Sequence, residues 1–382
     1  MPLDAKYRRT TFTWFAFASL FTFGMLGSVL GPILPYLRAI ENISYAQAVV
    51  PQIAFSIGGG LAGILGGKLG RGHGVPVRAG LAGMTLAALA LAFINQYPVT
   101  IAAAFVMSLC GTSTLVALWA ALADAHGQMR SVAMTEGEVA VSLGGIFAPL
   151  AIAGLATVTF GWRGAFVAIA VIAAVVLAIS ARTQFPARPP APELSGRRRS
   201  GLSPTLAVTF LIVAAEWCLI FWLASYLNDS VRIGRALSIG MVAVLYAGML
   251  LGRLVASRLA RTMSAERLLA WSIAVAACGI PIVLTAHGPV VAGVGIAVVS
   301  LGLGPTYPLT SSIHVGASGS GATGAVSQMV VTSAIGQIAG PLLAGLIAQA
   351  VGLRLGMTVM PVLVVGAGIA LWRHSRRRAS MG

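Results

Sequence analysis

Apolar residues fill this chain in long unbroken blocks, and polar residues gather in the short stretches between them. The blocks run over 12–35, 45–69, 77–94, 99–123, 132–155 and 164–181, then over 204–227, 236–259, 268–286, 289–313, 322–348 and 355–372. Each is long enough, as a helix rising about 1.5 Å per residue, to cross a hydrocarbon layer of about 30 Å. Apolar and polar positions do not alternate, which argues against a membrane β-barrel. The pattern predicts an all-α integral membrane protein with 12 transmembrane helices in two sets of six. What separates the sets is 182–203, RTQFPARPPAPELSGRRRSGLS, with five Arg, one Glu, four Pro and no apolar run. That stretch must lie in water. The expected organisation is a six-helix bundle over 1–181, a linker over 182–203 and a second bundle over 204–382.

Composition agrees and adds the class. Hydrophobic residues make up 58% of the 382 and charged residues only 9%, with mean hydropathy +0.91, so the apolar surface exceeds what a water-soluble core encloses. Forty-six glycines suit helices that pack closely in lipid, where backbone approach replaces the hydrophobic effect. The basic opening at 1–11 leads into an apolar run that continues to residue 35, too long for a cleaved leader, so it reads as a retained first helix. Cys110, Cys218 and Cys278 are odd in number and each sits in an apolar block, which predicts packing and neither a disulfide framework nor a metal site. No cofactor is expected.

A net charge of +16 would suit nucleic acid, but the basic residues are scattered between apolar blocks, and no nucleic-acid partner is expected. Threading twelve helices through a bilayer sorts the charge better. Lys6, Arg8, Arg9, Lys68, Arg71, Arg78, Arg130, the five linker arginines, Arg253, Arg258, Arg261, Arg267, Arg373 and Arg376 to Arg378 fall on one side. Arg38, Arg163, Arg232, Arg235 and Arg354 fall on the other, a split of 20 against 5. The positive-inside rule then predicts both termini and the linker in the cytoplasm, in a multi-pass protein of the cell (inner) membrane.

Sliding one half over the other reveals a repeat. At an offset of 190, Tyr36-Leu37 meets Tyr226-Leu227, and Lys68-Leu69 with Arg71 meets Arg258-Leu259 with Arg261; at 192, Gly144, Pro149 and Leu150 meet Gly336, Pro341 and Leu342. Parallel six-helix repeats are the arrangement of transporters that rock about a central site. With Gly67-Lys68-Leu69-Gly70 and Gly74 after helix 2, Gly161-Trp162-Arg163 before helix 6 and GQIAGP over 336–341 in helix 11, the whole chain resembles the major facilitator superfamily. It departs from the family pattern at Arg71, where an Asp is usual, and at Val75-Pro76, where a basic pair is usual. Gly144 to Pro149 in helix 5 loosely resembles the Gly/Pro signature of antiporters, and the helix 11 copy is tighter.

Charged groups within a bilayer are costly, about 2.5 to 3.5 kcal/mol each on insertion scales, and so are functional candidates. With Ser203-Pro204 as N-cap and first residue, Glu216 falls 12 residues on, about 18 Å along the helix and near the midplane. A carboxylate there is suited to proton coupling; the alternative is a structural Glu hydrogen-bonded to a neighbouring helix. Glu136 and Glu138 open helix 5 on different faces. Glu136 aligns with Gln328 of helix 11 at the repeat offset, which makes it the second proton-coupling candidate and Gln328 a substrate contact, although the helix dipole alone favours a Glu in an early turn. Asp124 ends helix 4 and reads as a solvated charge. The resemblance implies that helices 1, 4, 7 and 10 surround a central cavity. It implies substrate-binding roles for Thr112 and Trp119 in helix 4, Trp222 in helix 7, and Tyr307 and Ser311 in helix 10. The alternative for Trp222 and Tyr226 is aromatic packing, and for His314 simple solvation.

No nucleotide loop, nucleophile elbow or catalytic cluster is present, so the chain is expected to move a solute and not to transform it. The expected protein is a monomeric secondary transporter working by alternating access, with a small amphipathic solute, protons and the lipid bilayer as its partners. One charge moved through 100 mV supplies about 2.3 kcal/mol, enough for roughly fifty-fold concentration. Export leads, with proton-coupled uptake of a sugar or organic acid as the alternative. From other classes, a membrane-embedded enzyme or a non-transporting receptor of the same fold are the rivals.

Overall fold

A computed structural model describes residues 7–65, 72–156, 158, 161–187, 204–317 and 321–379. Among them every regular element is helical, and twelve helical stretches are long and apolar enough to cross a membrane. These are α1 (Thr11–Glu41), α2 (Tyr45–Leu65), α3 (Gly74–Phe93), α4 (Tyr97–Met129), α5 (Val132–Leu155) and α6 (Arg163–Ser180). After the linker come α7 (Pro204–Asp229), α8 (Arg235–Leu259), α9 (Ala265–Leu284), α10 (Pro289–Val315), α11 (Gln328–Val351) and α12 (Leu353–Arg376). The signature at 67–70, with Arg71, and the linker from 188 to 203 lie outside the described residues.

Two spans are broken in ways that hydropathy does not show. The first is Thr11–Gly27 followed by Leu30–Glu41, and it extends beyond the expected end at residue 35 because Pro35 is accommodated inside the second piece. The tenth is Pro289–Leu303 followed by Thr306–Ala317. Its interruption falls at Gly304-Pro305, where the proline has no N–H to continue the helical ladder. Local chemistry sets the starts. Thr10 caps α1 in a reciprocal box with Thr13, and Ser44 does the same with Gln47 at α2.

By its internal contacts the chain sorts into two compact units, Met1–Leu30 with Ile57–Glu193 and Gly31–Ser56 with Leu194–Gly382. Residues 31–56, which the sequence assigns to the first bundle, are held in the second unit by specific groups. Arg38 donates to Asp229 Oδ2 at 2.7 Å, the Tyr45 hydroxyl donates to the same oxygen at 2.9 Å, and Arg38 lies over the Tyr45 ring. The Tyr45 amide donates to Gln349. Gly31 lets the backbone run against the Ile220 carbonyl, and Gly345 leaves space for Val49 and the Trp222 ring.

The repeat shows in matched packing within each unit. A Cβ on Gly144 of α5 would overlap the Phe21 carbonyl of α1. A Cβ on Gly340 of α11 would overlap the Ala214 carbonyl of α7, and Gly336 lies against Phe210. Both α5 and α11 carry an internal proline, Pro149 and Pro341. Large apolar residues such as Leu86, Val290 and Val362 remain exposed, as expected of surfaces solvated by lipid.

Candidate functional site

Glu216 lies on α7, a helix of which residues 212–215 and 218–227 are buried; Glu216 and Trp217 interrupt that run and are only half-buried. Among the described residues no hydrogen bond or salt bridge reaches the Glu216 carboxylate within direct contact distance. Its charge is instead met through space by Arg253 on α8, and it acts in turn on Tyr246. Helix geometry explains the grouping. Tyr246 is 13 residues from the end of α8 at Leu259, about 20 Å deep at 1.5 Å per residue, level with Glu216 on its antiparallel neighbour. Arg253 follows two turns later on the same face. Its Nε donates to the carbonyl of Gly304 at 3.1 Å, at the break in α10. Gly252, the preceding residue, brings α8 against the Leu301 carbonyl and Pro305 ring. A broken helix with carbonyls turned to a charged side chain is what irregular backbone inside a membrane requires.

Arg253 and Tyr246 were missed in the sequence. The charge count places Arg253 on the cytoplasmic side without using its depth, six residues inside α8; that depth, with a tyrosine two turns before it, is the signal that finds it.

The other candidates are distributed. Glu136 is half-buried and fully engaged: Arg9 donates from Nε to Oε2 at 2.9 Å and from Nη2 to Oε1 at 2.6 Å, and the Tyr7 hydroxyl donates to Oε2 at 2.8 Å. Desolvation first, then the bond to this carboxylate, push the Tyr7 phenol up to about 12. Beside it the Thr13 hydroxyl and His126 Nε2 share a hydrogen bond of 2.9 Å, with the Tyr7 ring against the imidazole. The second unit repeats this pattern. Thr205, 192 residues after Thr13, is bonded at 2.7 Å to His314 Nδ1, and His314 Nε2 is bonded at 3.0 Å to Gln328, 192 residues after Glu136. His314 is therefore a buried clasp where the sequence suggested a solvated group.

Trp222 is completely enclosed, its indole N–H donating to the Pro341 carbonyl at 2.9 Å and its ring edge-on to Phe221 and Tyr45. Tyr226 is likewise enclosed and donates to carbonyls of α9. Trp119 is half-buried and fits the space left by Gly137, and Thr112 lies opposite Gly59. Tyr307 and Ser311 are half-buried on α10. Asp124, expected to be solvated, is instead bonded at 2.8 Å to the buried ring of His73, because the start of α3 folds that imidazole against the end of α4.

A duplicated twelve-span helical fold with a carboxylate and a guanidinium inside its spans defines a class of membrane carrier. A family model described as Major Facilitator Superfamily matches residues 16–334, and the chain belongs to that superfamily: it is a transporter and not an enzyme. Among solved structures, a bacterial homologue of the human lysosomal transporter Spinster in an inward-facing, unoccupied conformation is similar with a TM-score of 0.74 at 15% identity, over 98% of both chains. A D-xylose–proton symporter is similar with a TM-score of 0.74 at 13% identity, over 95% of this chain and 97% of that one. A nucleoside transporter carrying a point mutation gives 0.75 at 12% identity, over 96% and 99%. None of the curated proteins compared with the chain matches its sequence.

Proposed function

We propose that this protein is a proton-coupled secondary transporter that carries a small amphipathic solute through the cell membrane by alternating access, with Glu216 taking up and releasing the proton. The observation that carries this reading is the state of Glu216: a carboxylate at mid-span, half-buried, with no hydrogen bond among the described residues to fix it in one protonation state. A structural glutamate would be bonded as Glu136 is. Glu136, held by Arg9 and Tyr7, serves in this reading as an anchor for the start of the chain. Two directions remain. Export in exchange for protons, suggested by the Gly/Pro resemblance in helices 5 and 11, requires the solute to displace the proton. Uptake of an organic acid requires the proton to make room for an anion, and the cation beside Glu216 favours this second direction.

Proteoliposomes containing the purified protein, loaded with a compound that raises its melting temperature, test the reading, since a ligand of the folded state stabilises it in proportion to RT ln(1 + [L]/Kd). Movement of the chemically unchanged compound, accelerated by a pH difference, is expected; flux indifferent to pH contradicts it. The charge split in the loops also supports a cytoplasmic linker and termini. A reporter fused after Ser200 is expected to behave as cytoplasmic and one inserted near Gln96 as external, and the same side for both would refute that orientation.

A further inference from the structure

We propose that the outer surface of α9 and α12, at the end where α9 begins and α12 finishes, is a binding site for an anionic glycerophospholipid. Arg267, Arg373 and Arg376 hold the phosphate, and the acyl chains lie along the two helices. The site is independent of Glu216 and of what the protein carries.

Three observations carry it. First, each helix presents an exposed stripe of the same design. On α12 it runs Val362, Val365, Ile369, Trp372 and Arg376, and on α9 it runs Arg267, Trp271, Ala274, Cys278 and Pro281. Steps of three and four residues keep each stripe on one face of its helix. In both, a tryptophan lies four residues inward of an arginine, and only small or apolar side chains follow.

Second, the two stripes meet at one level. A Cβ on Gly368 of α12 would lie 3.8 Å from the Ile273 side chain of α9, so the helices are neighbours. From that contact Arg267 is six residues toward the start of α9, while Trp372, Arg373 and Arg376 are four to eight residues toward the end of α12. In the antiparallel pair all of them lie about 6 to 12 Å beyond the contact at 1.5 Å per residue.

Third, the positive charge there is not answered by the protein. Arg267, Arg373 and Arg376 are exposed, and among the described residues no salt bridge or side-chain hydrogen bond engages them. Arg376 lies 4.0 Å over the Trp372 ring, a contact that uses the flat face of the guanidinium and leaves its N–H edge for phosphate oxygens. From Arg267 to the last residue the sequence has six Arg and no Asp or Glu. Glu266, the residue before Arg267, is half-buried and already engaged.

Orientation in the membrane asks only for positive charge on this side, which Arg258 and Arg261 also supply. It does not ask that arginine, tryptophan and apolar side chains follow one another down a surface solvated by lipid. A soluble polyanion would use the arginines alone. A ligand that uses the whole stripe has a charged head, an interfacial region at the level of the indole rings, and hydrocarbon tails.

Thermal shifts of the purified full-length protein in detergent test the site, with phosphatidylglycerol, phosphatidylcholine of the same chains, glycerol 3-phosphate and polyglutamate as probes. Phosphatidylglycerol is expected to raise the melting temperature and the other three to leave it unchanged. Arg267→Gln with Arg376→Gln is expected to weaken phosphatidylglycerol roughly 25-fold, from about fivefold for each arginine near a membrane surface. The matched pair Arg258→Gln with Arg261→Gln removes the same charge from the same side but off the stripes, and is expected to cost much less. If the first variant does not fold, competition still decides: wild-type protein equilibrated with equal amounts of the two lipids is expected to retain phosphatidylglycerol in excess, read by native mass spectrometry. Equal stabilisation or retention of phosphatidylcholine would overturn the proposal, as would equal weakening by the two arginine pairs. Glycerol 3-phosphate matching the lipid would make this a site for free phosphate, and polyglutamate matching it would make it a surface for an acidic protein; either result also overturns it.

Discussion

Glu216→Gln abolishes transport driven by a pH gradient while the protein folds, inserts and binds its solute: this is the outcome expected of the proposed role, Glu216 being a mid-span carboxylate with no hydrogen bond among the described residues. The amide keeps the shape and most of the polarity, so packing along α7 is undisturbed. What disappears is titration. The expected loss of gradient-driven uptake is complete within detection, because among the described residues no second carboxylate lies at that depth. Equilibrium exchange of solute across the membrane, which needs no net proton movement, is expected to persist. Radiolabelled counterflow and gradient-driven uptake in the same proteoliposomes check the two together, and uptake at the wild-type rate would remove Glu216 from the coupling role.

The second large effect is on stability. Gly340→Ala places a methyl group where the Ala214 carbonyl of α7 already lies, so α7 and α11 must separate along a contact that neither side chain rotation nor water can relieve. Overpacking of this kind costs about 3 kcal/mol, seen as a fall of several degrees in melting temperature and a loss of monodisperse protein in detergent. Gly366→Ala is the matched comparison. Its nearest neighbour would be a Leu211 methyl at 3.5 Å, ordinary contact distance, and the better helix propensity of alanine makes that substitution neutral or mildly stabilising. Equal destabilisation by both would mean that glycine at 340 is not required by close approach.

Twelve spans were legible because an apolar block of membrane length admits one solution in lipid, a helix. The duplication was legible in glycines and prolines, since backbone contacts tolerate few residue types, and Gly144 and Gly336 make equivalent contacts. The breaks at 28–29 and 304–305 were not, because a hydropathy pattern continues through them. Side-chain roles were harder still. Glu136 looks like a membrane carboxylate until Arg9, 127 residues earlier, is brought to it. Trp222 is read as a cavity-lining residue of helix 7, yet the Pro341 carbonyl and the Tyr45 ring enclose it, and sequence spacing carries no information about those neighbours. Arg253 is counted only by its side of the membrane because topology rules sum charges without asking at what depth each one sits. The depth of Glu216 was legible in advance, from its distance to a helix start.

The paired clasps, Thr13–His126 with Glu136 and Thr205–His314 with Gln328, have a consequence for how a duplicated protein divides its labour. The two copies share the Thr–His pair and differ beside it: the first has an acid bonded to Arg9 and Tyr7, the second an amide bonded to the imidazole itself. The first copy spends its carboxylate at the rim, on a cation from its own leading segment. In the second the amide at the matching position carries no charge, and Glu216 and Arg253 lie within the spans α7 and α8. The two halves thus keep one backbone plan and matched Thr–His pairs while holding charge at different depths.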